Sequence, residues 1–224
     1  MSEPRLLLIR HGVTAWNREG RWQGRLDPPL SDDGRREAQL LADRIARDGE
    51  LRPARIISST LARAAQTAAA LADATGVQVE PEPRLMEIGA GEWEGHTHDE
   101  LEITDGVRYR AWRSQASDAR PPGGEAIDEV VSRVRGVLDA VEASDGPWPT
   151  ALVSHGGILR VVSNQLFELP GRWMWSFDVD NASISVASRL AAGRWRLERW
   201  NDTLHLLGFQ PTHVDEAEGR PLAL

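Results

Sequence analysis

The chain contains no cysteine, and this absence excludes several kinds of chemistry. Without cysteine there is no disulfide, no thiol nucleophile and no cysteine-ligated metal centre. Apolar runs as long as a membrane span are also missing, and the N-terminus has no positively charged segment followed by an apolar one. We therefore expect neither a membrane-spanning segment nor a secretory signal, and we expect the protein to be cytoplasmic without a membrane partner.

The chain has no excess of basic residues, and two of the three aromatic residue types are scarce. Lysine and arginine total 26 against 34 acidic residues, giving a formal net charge of −8. Nucleic-acid-binding domains usually carry a basic face, so we expect no nucleic-acid partner. The chain has one tyrosine and three phenylalanines against nine tryptophans. We interpret Trp173, Trp175, Trp195 and Trp200 as packing residues, and Trp22, Trp93 and Trp112 as candidates for a pocket wall.

Short apolar runs alternate with helical stripes, which predicts an α/β fold with a largely parallel sheet covered on both faces. Strands are expected over residues 6–10, 54–58, 77–80 and 150–154. Helices are expected after the N-cap Ser31 and over residues 61–74, 127–141 and 158–166. Two late strands over 183–190 and 195–200 alternate as in an antiparallel hairpin. We expect one domain over residues 1–224, a three-layer α/β/α sandwich.

Three segments lie outside this regular pattern. Residues 13–30 are expected to form a polar loop, and residues 81–125 a cap-like excursion over the carboxyl ends of the strands, with a short helix near 99–103. Residues 202–224 are expected to be a tail on the surface or over the site, with His205 and His213 on the surface. The late hairpin leaves an edge strand, and the chain is expected to be a monomer or a homodimer.

Polar residues follow the predicted strands where each strand ends. Arg10-His11-Gly12 follows the first strand and His155-Gly156-Gly157 another, while Ser58 ends the second strand, with Arg63 beginning the next helix. Glu87 follows the third strand. Because the carboxyl ends of parallel strands share one edge of a sheet, we expect these side chains to meet there.

This set of side chains has a chemical use. A neutral imidazole attacks phosphorus and forms a phosphohistidine, which predicts His11 as the nucleophile. Arg10, Arg63 and a protonated His155 would stabilise the charge on the phosphoryl oxygens, so no metal and no other cofactor is required. Glu87 would protonate the leaving oxygen and then activate water. Asn17, Gln23 and the amide of Gly156 are further candidate phosphate donors.

At these residues the chain resembles the histidine phosphatase superfamily, also called the phosphoglycerate mutase-like family. The resembling segments are LIRHGVTAWNREGRWQGRLDPPL (8–30), SSTLARAAQT (58–67), LMEIGAGEWEG (85–95) and VSHGG (153–157). The resemblance implies that His11 is phosphorylated, that Glu87 is the proton donor, and that Arg10, Arg63 and His155 form the phosphate pocket. Asn17, Gln23, Gly24 and Gly156 complete the implied substrate site.

The resemblance also bears on the reaction. The sequences after Glu87 and around Gln23 are similar to the phosphatase branch, which implies an acid-type phosphoric monoester hydrolase acting on a small phosphorylated metabolite. Val13 and Ala90 depart from the usual residues and put the substrate preference in doubt. A cofactor-dependent mutase is the alternative, since Arg108, Arg110, Arg113 and Arg120 offer cations for a substrate carboxylate. A second alternative is a phosphate-binding regulatory module with little turnover. His96 and His98 are interpreted as residues of a solvent loop rather than as metal ligands.

Overall fold

Six strands and seven α-helices form the regular structure of the described residues. The structure, a computed structural model, describes residues 4–114, 119–144, 146–170, 176–191 and 193–210. The strands are β1 (Arg5–Arg10), β2 (Arg55–Ser58), β3 (Val79–Pro81), β4 (Thr150–Ser154), β5 (Ile184–Arg189) and β6 (Trp195–Asp202). The helices are α1 (Ala15–Arg18), α2 (Asp32–Arg47), α3 (Ala62–Thr75), α4 (His98–Thr104), α5 (Gly106–Arg113), α6 (Ile127–Glu142) and α7 (Gly156–Leu166).

The strands form one sheet in the order β3-β2-β4-β1-β5-β6. The first four are parallel, while β5 and β6 add an antiparallel hairpin at one edge. The parallel strands β1 and β4 are neighbours, with Arg10 opposite Ser154. The mostly parallel sheet and the late hairpin confirm the predicted fold class.

The central strand β1 shows why helices cover both faces of the sheet. Successive side chains of a strand point to opposite faces, and all four of its apolar residues are buried. Leu6 and Leu8 belong to the apolar core that includes α6 and α7, whereas Leu7 and Ile9 belong to the core that includes α2 and α3. A continuous apolar run is the pattern of a strand buried on both sides, and it produces the three layers.

Local signals in the sequence set the ends of the helices that support the site. The Ser31 side chain accepts a hydrogen bond from the amide of Gly34 and begins α2. Helix α3 ends at Gly76, whose φ of 75° is the left-handed conformation that glycine adopts without strain. Both helices place small or aliphatic residues against the sheet, in agreement with their predicted stripes.

The two irregular segments contain more helix than the sequence predicted. Residues 13–30 include α1, which begins with a capping box between Thr14 and Asn17. Residues 81–125 include α4 and α5 and the 3₁₀ helices Pro83–Leu85 and Gly91–Trp93, rather than a single short helix. These helices are too short for a periodic apolar stripe to reveal them. Backbone hydrogen bonds from Trp22 to His96 (2.9 Å) and from Gly95 to Trp22 (2.8 Å) join the two segments over the strand ends.

Trp93 and Trp112, interpreted from the sequence as candidates for a pocket wall, lie in a buried aromatic cluster. Both are only 2% exposed and pack edge to face, with ring centroids 6.5 Å apart. Tyr109 packs against Trp93 at 5.5 Å, and Trp22 packs against Trp93 at 6.0 Å. This cluster is the core of the excursion, because a segment with little regular structure needs large apolar side chains to bury enough surface. Of the three predicted tryptophans, only Trp22 also lines a cavity.

The end of the chain is described as far as residue 210. Asp202 ends β6 and forms an ion pair with Arg44. His205 is half-buried beside Arg44 rather than on the surface, and burial lowers its pKa to about 4. Trp195 and Trp200 pack partly buried against the core, as predicted. The predictions for Trp173, Trp175, His213 and the tail beyond residue 210 lie outside the described residues. Within the described part of the chain, no helix is long and apolar enough to cross a membrane.

Candidate active site

Two histidines lie side by side where neighbouring strands end. His11 directly follows β1 and His155 directly follows β4. The parallel pairing of these strands brings the two imidazole rings to a centroid distance of 5.1 Å, and both residues are almost completely buried. A backbone hydrogen bond from His11 N to Ser154 O (3.0 Å) extends the pairing past the strand end. The sequence-based expectation that the two histidines meet at one sheet edge is therefore correct.

The backbone around His11 fixes the proton on its ring. Nδ1 lies 2.7 Å from the carbonyl oxygen of Gly12. Since a carbonyl oxygen only accepts hydrogen bonds, Nδ1 carries the proton and Nε2 keeps its lone pair. Gly12 is needed here because a Cβ would lie 2.4 Å from the carbonyl oxygen of Gly34. The amide of Gly12 donates to Thr67 Oγ1 at 3.1 Å, which fixes the turn after the strand.

His155 has the opposite tautomer. Arg63 donates from Nε to Nδ1 of His155 at 3.2 Å, and a guanidinium only donates, so this ring nitrogen is the acceptor. The proton of the neutral ring is then on Nε2, which lies 2.8 Å from Ser59 Oγ. Sequence reasoning pointed to Ser58, whose hydroxyl instead donates to the carbonyl of Ser59. Ser59 follows the strand end by one residue, and only the turn geometry shows that it faces the histidine.

Burial and the neighbouring cations keep both rings neutral. The pKa of His11 is lowered well below its usual value by burial, then by the charges of Arg63 and Arg10. Burial and the charge of Arg63 also lower the pKa of His155 well below its usual value. This arrangement favours the neutral form of His155, and its protonation beside a phosphoryl group stays a prediction. Arg10 and Arg63 place positive charge beside the rings, and even Arg63, with its pKa lowered by burial to about 10, is charged at neutral pH.

Backbone carbonyls hold the two arginines in place. Arg63 donates from Nη1 to the carbonyl of Leu26 and from Nη2 to that of Gly24, both at 2.9 Å. Arg10 donates from Nη1 to the carbonyl of Val179 at 2.5 Å. These bonds fix the direction of each guanidinium before a ligand arrives, which lowers the entropic cost of binding an anion.

Glu87 is a buried carboxylate beside the segment that follows His155. It follows the 3₁₀ helix Pro83–Leu85, is 7% exposed, and accepts hydrogen bonds from the amides of Ile88 (2.9 Å) and Gly157 (3.2 Å). Gly157 lies two residues after His155, and a Cβ there would come within 2.6 Å of Glu87 Oε1. The carboxylate therefore lies next to the turn that carries His155.

The neighbouring glutamates have other surroundings. Glu94 accepts from the amides of Arg25 (3.0 Å) and Ala90 (2.9 Å), so it holds two loops together. Glu92 is exposed. Of these three glutamates, only Glu87 lines the cavity beside the site.

Asn17 and Gln23 have the polar atoms expected of phosphate ligands. Asn17 Oδ1 accepts from the amide of Thr14 (3.0 Å) and from Asn181 (3.3 Å), while its buried Nδ2 has no hydrogen-bond partner among the described residues. Gln23 is 3% exposed and lines a small cavity with Trp22, Gly24, Glu87, Ile88 and Gly157. Asn181, which also donates to the carbonyl of His11 (3.0 Å), was not identified from the sequence because it lies far along the chain.

The two glycines of the predicted binding set have different surroundings. The carbonyl of Gly24 accepts a hydrogen bond from Arg63. Gly24 has a φ of 50°, and a Cβ at this position would collide with the Glu94 side chain, so the loop requires glycine here. Gly156 begins helix α7 directly beside the guanidinium of Arg10, and a Cβ at this position would lie 3.4 Å from Arg10 Cζ. An amide at a helix start next to a cation suits an anionic ligand.

His98 is a structural residue of the excursion. Its Nδ1 accepts from Trp22 Nε1 at 3.2 Å and also contacts the Tyr109 hydroxyl. Burial lowers its pKa to about 4, so the ring is neutral at physiological pH. His96 is exposed and lies 3.6 Å from Glu100. No group of three metal-ligating side chains occurs in the part of the chain that the structure describes.

Two cap arginines proposed for a substrate carboxylate are paired elsewhere. Arg108 pairs with Asp105 at 3.1 Å and Arg110 with Glu102 at 2.6 Å, and both side chains are more than half exposed. Arg120 is exposed. The structure does not bring these three residues to the histidine pair.

A neutral histidine with its Nε2 lone pair available, two guanidinium groups held by backbone carbonyls and a buried carboxylate lie together in this α/β protein, a combination of groups that suits phosphoryl transfer. The comparison with known families leads to a narrower class. The sequence pattern of the histidine phosphatase superfamily (branch 1) matches residues 6–203, and the chain belongs to this superfamily. The resemblance found in the sequence is thereby confirmed.

The similar proteins include a phosphatase and a probable phosphoglycerate mutase. The chain is 36% identical over 217 residues to glucosyl-3-phosphoglycerate phosphatase of Mycobacterium tuberculosis, covering 90% of this chain and 96% of the relative. It is 36% identical over 208 residues to "Probable phosphoglycerate mutase GpmB" of Yersinia pestis, covering 89% and 93%. A solved structure of the mycobacterial glucosyl-3-phosphoglycerate phosphatase with VO3 superposes with a TM-score of 0.79 at 38% identity, covering 88% and 98%.

Proposed function

We propose that this protein hydrolyses phosphomonoesters of small phosphorylated metabolites through a phosphohistidine at His11. The observation that carries the proposal is the Nδ1 hydrogen bond of His11 to its neighbouring carbonyl (2.7 Å), which leaves the Nε2 lone pair available in a buried site. The depressed pKa of the ring keeps that lone pair unprotonated. The phosphatases among its relatives act in the same family and support this class of reaction.

The proposed first step transfers the phosphoryl group to the protein. Nε2 of His11 forms a bond to phosphorus while the bond between phosphorus and the ester oxygen breaks. Glu87, in its protonated form, gives its proton to the departing oxygen, and an alcohol leaves. Arg10 and Arg63 stabilise the charge on the three remaining phosphoryl oxygens, with Asn17, Gln23 and the amide of Gly156 as further donors.

The proposed second step returns the protein to its starting state. Water attacks the phosphorus, the bond to His11 Nε2 breaks, and Glu87 accepts the proton of the water. Inorganic phosphate leaves, and Glu87 is again protonated for the next cycle. His155 is neutral in the structure, and a bound phosphoryl dianion favours its protonation, which would add a third positive charge during the reaction.

The acid-type character of the enzyme is part of the proposal. A nucleophilic histidine must be unprotonated, and the lowered pKa of His11 keeps it so in mildly acidic solution. The proposed mechanism also requires that the donor Glu87 carry a proton. Because charged phosphomonoesters do not cross lipid bilayers unaided, the proposed activity is cytoplasmic.

Hydrolysis is favoured over phosphoglycerate isomerisation by two surroundings of the site. The residue after Glu87 is Ile88, which is 4% exposed and lines the cavity, so the side chain next to the proposed acid offers no cation to a substrate carboxylate. The cap arginines Arg108 and Arg110 are paired with acidic neighbours and exposed.

The test is an assay of the purified protein with excess chelator against a panel of phosphomonoesters. One arm contains 3-phosphoglycerate with 2,3-bisphosphoglycerate to detect mutase activity. We expect phosphate release that His11→Ala abolishes and that vanadate inhibits, since vanadate mimics five-coordinate phosphorus. Isomerisation faster than release would replace the proposal with a mutase. Phosphate binding without turnover on the whole panel would replace it with a binding module.

A further inference from the structure

Arg133 of α6 contacts the backbone of the segment that carries Glu87 at three points. Its Nη1 donates to the carbonyls of Arg84 (2.6 Å) and Met86 (2.8 Å), and its Nη2 donates to the carbonyl of Glu87 itself (3.2 Å). The carbonyls belong to a short segment that begins in the 3₁₀ helix Pro83–Leu85. One guanidinium therefore holds the main chain on which the proposed proton donor is mounted.

The remaining donors of Arg133 hold Glu125. Nε donates to Oε1 and Nη2 to Oε2 of this carboxylate, both at 2.9 Å, so the two groups face each other as parallel forks. All five N–H groups of the guanidinium thus have an acceptor. The Arg133 and Glu125 side chains are only 14% and 16% exposed, where such a pair is more strongly coupled than on the surface.

Glu125 extends the contact to both sides of the cavity. Its Oε2 accepts from the amide of Gly89 at 2.8 Å, two residues after Glu87. Its Oε1 accepts from Arg25 Nη2 at 2.8 Å, and Arg25 follows the Gln23-Gly24 loop. The Glu125 amide in turn donates to the carbonyl of Gly89 at 2.9 Å.

The carboxylate of Glu87 depends on this backbone for its position. It accepts hydrogen bonds from the amides of Ile88 and Gly157, and a shift of the 84–89 backbone moves it relative to His155 and the leaving group. Arg133 touches the carbonyl of Glu87 and not its carboxylate, so it positions the proton donor without taking part in the proton transfer.

We propose that Arg133 and Glu125 are positioning residues that fix the place of the Glu87 carboxyl group. Through Arg25 they also connect the backbone that carries Glu87 to the loop of Gln23. The inference rests on the proposed function and adds a requirement to it. Without the Arg133 guanidinium, the backbone that carries Glu87 is free to shift. Misplacement of a reacting group by about 1 Å costs up to about 100-fold in rate.

The kinetic test compares Arg133→Gln with Arg135→Gln. Arg135 lies on the same helix and pairs with Asp139 (2.7 Å) and Glu142 (3.2 Å), away from the site. We expect Arg133→Gln to lower kcat/KM for alkyl phosphomonoesters such as phosphoserine by about tenfold, and that for 4-nitrophenyl phosphate by less than about threefold, because the activated leaving group needs little proton transfer. Arg135→Gln should match the wild type on both.

A double variant separates positioning from general damage. In a Glu87→Gln background the proton donor is already lost, so adding Arg133→Gln should cost little more on alkyl substrates. Arg133→Lys should recover only part of the loss, since an ammonium group has three donors and no fork. Equal losses on both substrate types, or full additivity with Glu87→Gln, would overturn the inference.

A measurement that needs no turnover completes the test. Hydrogen exchange of the backbone over residues 84–91 should accelerate in Arg133→Gln and in Glu125→Gln, and remain as in the wild type in Arg135→Gln. Unchanged exchange in the first two variants would refute the positioning role whatever the kinetics. A wild-type protein that hydrolyses nothing in the panel would refute the proposed function instead, while the exchange data would still decide the role of Arg133.

Discussion

Arg63 donates its Nε–H to Nδ1 of His155 at 3.2 Å, and this one hydrogen bond determines which form of the histidine the site contains. The arginine cannot accept, so the ring nitrogen facing it must be unprotonated. The other ring nitrogen then donates to Ser59, whose hydroxyl lies 2.8 Å away. The tautomer of His155 is thus set by Ser59, which directly follows β2, and by Arg63 in the first turn of α3.

Ser59→Ala removes the partner of His155 Nε2. We expect kcat on alkyl phosphomonoesters to fall about tenfold and the thermal midpoint to fall by about 2–6 °C, because the buried N–H of His155 loses its acceptor. Steady-state kinetics and a melting curve provide the measurement. Ser58→Ala is the matched control, because the Ser58 hydroxyl donates to a backbone carbonyl and does not touch the ring. Identical kinetics for the two variants would remove Ser59 from the site.

Glu87→Gln removes the proposed proton donor while keeping the size of the side chain. Rates on alkyl phosphomonoesters should fall by about 100-fold or more, and the rate of histidine phosphorylation by 4-nitrophenyl phosphate should fall far less. Rapid-mixing measurement of nitrophenol release isolates that first step. Glu92→Gln, at an exposed neighbouring position, is the control and should behave as the wild type. Equal losses on both substrate types would exclude Glu87 as the acid.

Stability should fall as the solution becomes acidic, starting near pH 6.5, the ordinary pKa of histidine. The pKa values of His11, His155 and His98 are lowered in the folded protein, chiefly by burial. Below about pH 6.5 the unfolded chain therefore binds protons that the folded one does not, and each buried ring costs up to about 2 kcal/mol by about pH 5. Urea unfolding at several pH values measures the loss.

The contribution of His98 can be tested separately from the site. His98→Gln should flatten the decline of stability with falling pH, because one of the proton-binding groups of the unfolded chain is gone. His96→Gln, at an exposed position two residues away, should leave the slope as in the wild type. A slope that is the same in all three proteins would contradict the neutral state of His98 in the fold.

Gly157→Ala should damage the site rather than the fold. A Cβ at this position would lie 2.6 Å from Glu87 Oε1 and 2.9 Å from Ile88 Cδ1, so the proton donor must move. We expect a loss of about 100-fold on alkyl phosphomonoesters. Gly49→Ala, where a Cβ meets nothing within 4 Å, is the control and should retain activity. Wild-type activity in Gly157→Ala would show that Glu87 has room to shift without consequence.

The residues at strand ends could be predicted because their chemistry and their local pattern coincide. Arg10, His11 and His155 each follow an apolar run that is long enough to be recognised as a buried strand, and parallel strands bring such positions to one edge. The parallel pairing of β1 with β4 places the His11 and His155 rings with their centroids 5.1 Å apart. The layers of the fold followed from the same apolar runs and from the stripes of α2, α3 and α6.

The contacts that orient these residues could not be predicted. Ser58 and Ser59 are neighbours of the same residue type, and only the turn of the backbone directs the Ser59 hydroxyl to His155. The protonation of His155 depends on its burial, which no pattern in a single sequence reports. Arg133 appeared in the sequence as one polar position of an amphipathic helix. Its role depends on a segment that precedes it by more than forty positions and has no regular pattern. The short helix α5 was missed for the same reason, whereas α4 agrees with the short helix predicted near 99–103.

The parallel pairing of β1 with β4 also has a consequence for how the protein acquires activity. His11 and His155 come from opposite parts of the chain, so no fragment that folds locally contains both. Closing so long a loop is slow compared with forming helices. On refolding from denaturant, the circular-dichroism signal of the helices should therefore recover before enzymatic activity does. The time at which activity appears would then report when β1 pairs with β4.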